Sequence, residues 1–391
     1  MKRVYLYTGG IAKAHPIYKE GSRYVPEGFS YTPSTDELFA SPQTALKGGV
    51  PVFSRLTTLL TPSIIAALKV CRIPKVRLIR TPSNIALIHS AQYPLFNRTP
   101  WVMDFENVAT IAWYDRSVLD STITKTFFEH LFASSTCRGL LAWTTAAKES
   151  MLAALDCSAF QDKIHVVHLT HVPKPWTDRS KKKGPVELLF YSGNFYAKGG
   201  LDAILVALEL AKHYDIHLTV ISQYPPEVEK KFSNRLFITW KRQINPAERQ
   251  RIFCETDILL HPGHSETYGY VILEAFSYGI PVISTDGFSA EELIESGVRG
   301  YVVKNFISLF DVQYLPTIRT RDDQKKFLDA LRYPPENYIK ALAEATATLI
   351  MSPDERLRMS RNAHESITHG LFSPKRRIES LGAIYANVLH Y

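Results

Sequence analysis

The chain has 391 residues, past the size at which a single hydrophobic core usually stops growing, so two domains are expected. A hydrophobic content of 45% with 21% charged residues excludes a disordered or low-complexity chain. The net charge of +8 sits almost wholly in the first half: residues 1–174 hold 19 Lys and Arg against 12 Asp and Glu, and residues 175–391 hold 27 against 26.

The N-terminus, Met1-Lys2-Arg3-Val4-Tyr5-Leu6-Tyr7-Thr8, is basic and then apolar. The apolar part is too short for a signal-peptide core and runs into Gly9-Gly10, so Val4–Thr8 reads as a first strand. Residues 20–50 are rich in Gly, Pro, Ser and Tyr and read as a long loop. Between Glu37 and Asp104 there is no acidic residue, while Lys47, Arg55, Lys69, Arg72, Lys75, Arg77, Arg80 and Arg98 fall there. Such a field favours an anionic partner, with a solvated basic face as the plain alternative. The run Ile64–Val70 inside it reads as a core-facing helix or, given its basic surroundings, a helix on a membrane surface. Further strands are expected at Asn84–His89, Trp101–Phe105, Gly139–Trp143 and Ile164–Val167, with a capped helix at Ala146–Leu155. This alternation is that of an open parallel α/β sheet. Cys71, Cys137, Cys157 and Cys254 show no CxxC spacing, which fits a reducing cytosol rather than a zinc site or disulfide framework.

Prolines and a basic tract from Lys174 to Pro185 mark an inter-domain linker after a domain of residues 1–173. A second alternating series then fills residues 186–372. Strands are expected at Val186–Tyr191, His217–Ile221, Leu236–Thr239, Ile258–Leu260, Pro281–Ser284 and Tyr301–Val303, with helices at Leu201–Lys212 and Pro246–Glu255. Residues 305–335 look irregular, and helices follow at Glu336–Ile350, Pro353–His369 and Pro374–His390. Within this half, a strand ending near His261 leads through Pro262-Gly263-His264-Ser265-Glu266-Thr267-Tyr268-Gly269 into a helix, Tyr270–Tyr278, that stops at Gly279. Thr267 or Ser265 is placed to cap that helix, and its N-terminus is a ready anion site. Glu266 and Glu274 flank the helix start, suited to a sugar and a ribose on either side of a diphosphate. His261 and His264 lack the partners that a metal site needs, so His264 is assigned to the donor loop instead.

These pieces together resemble the retaining nucleotide-sugar glycosyltransferases of family 4. Leu188-Leu189-Phe190-Tyr191-Ser192-Gly193 with Lys198-Gly199-Gly200 is similar to that family's phosphate loop. Asp257–Pro262 with Glu266-x7-Glu274 is similar to its donor motif, and Ala275–Thr285 to its next helix and strand. Glu291-Glu292-Leu293-Ile294 with Gly297 and Gly300 follows the pattern too, and the last helix with Ile384-Tyr385 fits the family's crossing back to the first domain. The likeness covers about residues 186–304 and the tail; in the first half only strand order, Gly9-Gly10 and Thr144-Thr145 agree. Three departures stand out. Asn194 follows Gly193 where relatives carry Arg, leaving Arg242 as candidate substitute. Glu106, in Asp104-Phe105-Glu106-Asn107, falls where relatives carry His. The chain around 306–335 is long for a connection inside a compact domain.

The resemblance implies the GT-B fold, two doubly wound Rossmann-like domains facing across a cleft, with residues 373–391 a helix packed back on the first domain. It implies a retaining transfer of a sugar from a nucleotide diphosphate sugar to a hydroxyl acceptor, without metal or other cofactor. Glu266, Lys198, Glu106 and Asp104 are the catalytic candidates. Glu274, Gly193, Asn194, Arg242, His264, Thr267, Tyr268 and Gly269 are the donor-binding candidates, and Gly9 and Gly10 the acceptor-side ones. The basic region 47–98 directs the expectation toward a lipid-linked or anionic acceptor and toward a cytoplasmic protein or one on the inner membrane face. No nucleic-acid partner is expected, because the basic stretch carries few interleaved aromatics and no recognised motif. A non-catalytic nucleotide-sugar-binding scaffold, or another GT-B activity such as an epimerase, is the alternative.

Overall fold

The computed structural model describes residues 1–9, 16–34, 36–37, 75–178 and 183–390. Gly10, the Ile64–Val70 run, and Lys47, Arg55, Lys69 and Arg72 of the basic region lie outside the described residues. The chain forms two compact units. The first is Met1–Leu169 with Phe310–Arg319 and Lys375–Tyr391; the second is Thr170–Leu309 with Thr320–Pro374.

The first unit is a six-stranded parallel sheet in the order β2-β1-β3-β4-β5-β6. Its strands are β1 (Lys2–Tyr7), β2 (Phe29–Thr32), β3 (Leu87–Ala91), β4 (Trp101–Phe105), β5 (Cys137–Ala142) and β6 (Ile164–Val166). The helices are α1 (Pro16–Gly21), α2 (Arg116–Leu119), α3 (Thr122–Ala133) and α4 (Thr145–Ala154). All five residues of β3 and of β4 are buried, as expected for parallel strands covered on both faces. Thr144 caps α4, its hydroxyl accepting from the Ala147 N–H at 3.0 Å. Part of the stretch read as loop, residues 20–50, is structured. Phe29–Thr32 pairs alongside β1, and burial of Phe29 in the core outweighs the turn-rich composition around it.

The second unit is also a six-stranded parallel sheet, in the order β12-β11-β10-β7-β8-β9. The strands are β7 (Val186–Tyr191), β8 (Ile216–Ile221), β9 (Ile238–Lys241), β10 (Ile258–His261), β11 (Val282–Thr285) and β12 (Gly300–Val303). Between them run α5 (Gly200–Leu210), α6 (Pro226–Phe232), α7 (Pro246–Glu255), α8 (Tyr270–Ser277) and α9 (Ala290–Ile294), followed by α10 (Arg321–Ala330), α11 (Glu336–Met351) and α12 (Pro353–Thr368). Leu188, Phe190, Leu218 and Val220 from the sheet, Ala203 and Ala207 from α5, and Leu342 from α11 share one core. Strand order reverses between β7 and β10, and ligands of such sheets sit beyond the carboxyl ends of the strands at that reversal.

Two boundary expectations change. Residues 305–335 hold α10, started by a capping box between Thr320 and Asp323, while Phe310–Arg319 belongs to the first unit. There the Asn107 side-chain amide donates to the Tyr314 carbonyl at 3.0 Å and Arg319 pairs with Asp120 at 3.0 Å. The tract read as linker, 174–185, is not free at its start: the Trp176 indole donates to the Ser360 hydroxyl at 3.1 Å, within the second unit. The last helix, α13 (Pro374–His390), packs in the first unit, placing Leu381, Tyr385 and Val388 on Val4, Phe29 and Leu87.

Candidate functional site

At the β7–β10 reversal lies a pocket of about 350 Å³, lined in part by Ser192, Gly193, Arg242, His261, Glu266, Tyr270 and Glu274. Local backbone chemistry builds it. Gly199 is left-handed (φ +79°), and a Cβ there would stand 2.2 Å from the Pro262 carbonyl, so only glycine lets the two loops touch. That contact sets Lys198 against the donor-motif loop: its Nζ is 2.9 Å from the Ser265 carbonyl and 3.0 Å from Glu266 Oε2. Asn194 turns the loop after Gly193 and its carbonyl accepts the Lys198 N–H at 3.1 Å. Helix α8 starts at Tyr270 behind Gly269, which is left-handed (φ +74°) and brings no capping side chain. The N-cap position is Gly269 rather than Thr267 or Ser265, and the Ser265 hydroxyl donates to the Ala197 carbonyl at 3.3 Å. The N–H groups at the start of a helix attract an anion.

Glu266 is the centre of charge. Its Oε2 also lies 2.8 Å from His261 Nε2, at the end of β10. Burial pushes its carboxyl up, but the Lys198 ammonium and the His261 hydrogen bond outweigh that and hold it well below the usual carboxylate range. Glu274 is buried and paired with the Arg249 guanidinium of α7, which lies 5.1 Å from the Tyr191 ring centroid. Burial raises the Glu274 carboxyl, and Arg249 offsets only part of the rise. Sequence reading missed Arg249, which sits in an ordinary charged helix, and missed His261 as the partner of Glu266. Arg242 lines the pocket, but its guanidinium is held by the Tyr224 carbonyl at 2.7 Å and by Glu229 at 2.9 Å.

His264 and Tyr268 do not line this pocket. His264 is buried, with Nε2 2.5 Å from Asp202 Oδ2 and Nδ1 2.9 Å from Asn305 Oδ1, so it ties the loop to α5 rather than facing a ligand. Tyr268 is also buried, because the chain must turn inward before the left-handed Gly269. The carbonyl of Thr267 accepts from the Ser289 hydroxyl at 2.6 Å.

In the first unit, a pocket of about 300 Å³ lies past the carboxyl ends of β1, β3 and β4, lined in part by Thr8, Tyr18, Lys75, Gln92, Glu106 and Tyr114. Glu106 takes a hydrogen bond from the Tyr114 hydroxyl. Gly9 is left-handed (φ +76°) and packs on Tyr93. Asp104, expected beside Glu106, lies inside β4 and is fully buried. Its Oδ2 lies 2.9 Å from His89 Nε2 and 3.8 Å from Arg377 Nη2, and His89 Nδ1 meets the Tyr385 hydroxyl at 2.5 Å. Burial raises the Asp104 carboxyl, but His89 and Arg377 bring it below its ordinary value. Asp104 therefore anchors α13 and is not placed at the pocket.

Among the described residues, no group of three or more His, Cys, Asp or Glu side chains is placed to hold a metal ion, and no helix is long and apolar enough to cross a membrane.

Two parallel sheets of this order, each flanked by helices, are the GT-B fold of glycosyltransferases. Residues 174–308, which contain all six strands of the second sheet, match the family described as glycosyl transferases group 1. An uncharacterized 41.2 kDa protein in the cps region of Klebsiella pneumoniae is 28% identical over 162 residues, 38% of this chain and 44% of that protein. A probable sucrose-phosphate synthase of Thermosipho melanesiensis is 28% identical over 132 residues, 32% of this chain and 29% of that protein. The chain thus spans less than half the length of these curated relatives. Among solved structures, Anabaena HepE in complex with UDP and glucose superposes with a TM-score of 0.59 at 13% identity, covering 99% of this chain and 100% of that one. Sucrose-phosphate synthase from Thermosynechococcus elongatus gives 0.59 at 13% identity, covering all of both chains.

Proposed function

We propose that the protein is a retaining, metal-independent glycosyltransferase that takes a sugar from a nucleotide diphosphate sugar, with UDP as the first nucleotide to try. The observation that carries the reading is the cluster of Lys198, Glu266 and His261 beside the start of α8, at the strand-order reversal of the second sheet. The group 1 match over this stretch and the UDP, glucose and UDP-glucose complexes of the similar Anabaena protein support the donor class.

The chemistry follows from the charges. Breaking the bond between the anomeric carbon and the phosphate oxygen leaves negative charge on the diphosphate. Lys198 and the α8 amides stand ready to hold it, so stabilisation does not require a metal ion. Glu266 stays ionised at any working pH and holds the donor sugar by its hydroxyls. The acceptor oxygen then bonds to the anomeric carbon on the face the phosphate leaves, and the departing phosphate oxygen takes the acceptor proton. Retention is the resemblance's contribution to this scheme. Glu274, with Arg249, would take the ribose. The acceptor side falls to the first unit, with Gly9 and Glu106 at its carboxyl edge.

Incubation with UDP-sugars in EDTA, read by NMR at the anomeric proton of the product, tests this. The expected result is product with the donor's own anomeric configuration. Inverted product, or transfer only after Mg²⁺ or Mn²⁺ is restored, refutes it.

A further inference from the structure

The pocket at the carboxyl edge of the first sheet contains charged and polar groups that nothing so far explains. Lys75 is 91% buried by its residual 9% exposure, yet no described side chain or carbonyl accepts from its ammonium. The ammonium lies 4.4 Å from the Tyr93 ring centroid, and the Arg77 guanidinium lies 5.6 Å from the same ring. Backbone bonds fix this placement: the Lys75 N–H donates to the Ile111 carbonyl at 2.9 Å, and the Arg77 N–H to the Pro94 carbonyl at 2.9 Å. The Tyr18 hydroxyl in the same pocket is buried with no hydrogen-bond partner among the described residues. Gln92, Trp113 and Tyr114 at or beside this pocket all hold left-handed backbone, at φ +60°, +59° and +57°. Non-glycine residues held there are strained, and such strain gathers where a ligand is clamped.

An ammonium taken out of water without a partner opposes folding, and an incoming anion removes that cost. Opposite it, Glu106 and Gln92 can bind hydroxyls. A volume of about 300 Å³ is at the small end of ligand pockets, the size for one sugar ring rather than a long chain. We propose that this pocket is an anion-reading sugar subsite, in which Lys75 holds a carboxylate or phosphoryl group of the acceptor while Glu106, Gln92 and the Tyr18 hydroxyl hold its neutral hydroxyls. The word acceptor rests on the transferase reading; the chemistry of the pocket does not. Burial and the neighbouring Arg77 push the Lys75 amine down to about 8, with Glu106 acting the other way, which is the electrostatic mark of a site lacking its anion.

The test titrates the full chain with glucuronate, glucose 6-phosphate and glucose at fixed ionic strength, read by ligand-observed NMR, for wild type, Lys75→Met and Lys75→Arg. UDP is titrated into the same samples. At least one anionic sugar should bind about tenfold tighter than glucose, and Lys75→Met should erase that preference while Lys75→Arg keeps most of it. Preference for glucuronate alone assigns a carboxylate, and for the phosphate ester alone a phosphoryl group. Equal binding of all three sugars to wild type, or a preference that survives Lys75→Met, overturns the proposal. If UDP binds and the anion preference is absent, only this subsite is wrong. If the preference is present and UDP fails to bind, the subsite stands and the donor reading fails.

Discussion

At the carboxyl edge of the second sheet the charges are in contact: Lys198 and His261 on Glu266, Arg249 on Glu274. At the edge of the first sheet they are kept apart. Its best-paired carboxylate, Asp104, lies buried in the network that holds α13, while Lys75 lies over the Tyr93 ring with no hydrogen-bond acceptor for its ammonium among the described residues. A paired edge is preformed, and its ligand must compete with internal partners. An edge whose buried ammonium has no hydrogen-bond acceptor of its own is completed by its ligand. The first arrangement suits a donor whose diphosphate displaces a carboxylate from Lys198; the second suits a smaller, anionic molecule.

The comparison is most exposed at its strongest contact. Lys198→Ala and Glu266→Gln should each lower transfer on the order of 10²–10³-fold, the usual range for a group acting on transition-state charge. Glu266→Gln should leave UDP affinity within a few-fold, which separates the sugar-holding role from the diphosphate role. Initial rates and UDP titrations check both. Near-normal transfer in either variant breaks the paired-edge account.

Next in size is the buried network of the first unit. Asp104→Asn removes the charge that His89 and Arg377 face, and losing one partner of a buried pair costs about 3 kcal/mol. Thermal unfolding should show the loss, with UDP affinity unchanged. A variant of wild-type stability whose catalysis fails would return Asp104 to the catalytic set. A somewhat smaller effect is expected of Gly199→Ala, because the left-handed backbone and the Pro262 contact both resist a Cβ. Roughly 1–3 kcal/mol of strain is expected, together with weaker UDP binding as Lys198 shifts. Gly28 (φ +81°) has open space around its missing Cβ, so Gly28→Ala should cost less and spare the donor site.

The smallest expected effect is on pH. Lys75 is faced by Arg77, Glu106 and the hydroxyls of Tyr18, Tyr93 and Tyr114, and its amine loses its proton near pH 8. Below that pH the ammonium is present and anionic sugars bind fully; above it their affinity should fall, while glucose binding stays flat. Glu266 contributes no such step. Its carboxyl is depressed, so its stabilising charge is complete above the unfolded glutamate value and is lost only in strong acid.

The second unit was largely legible in the sequence because its information is local. A buried strand, a glycine-rich turn and a helix follow one another within the stretch from Ile258 to Gly279, and Glu266 and Glu274 keep their places relative to that turn. Arg249 and His261 escaped because each acts through a partner that only folding brings near. The burial of His264 was not legible for the converse reason: its partner Asp202 lies on α5, far away in sequence. The first unit was legible in strand order but not in site. Asp104 and Glu106 are two residues apart, and the strand ends between them: Asp104 lies inside the buried β4, whereas Glu106 lies just past its end and lines the pocket. Nor did the basic composition single out Lys75 among its neighbours; its burial does.

The donor reading requires that the edge of the second sheet bind a nucleoside diphosphate through Lys198 and the start of α8. Calorimetric titration of UDP and of uridine into wild type and Lys198→Ala tests it most directly. The account predicts that UDP binds wild type at least about 100-fold tighter than uridine, a difference of about 2.8 kcal/mol, and that Lys198→Ala removes most of this advantage without changing uridine binding. Equal affinities for UDP and uridine, or an advantage untouched by Lys198→Ala, would contradict it.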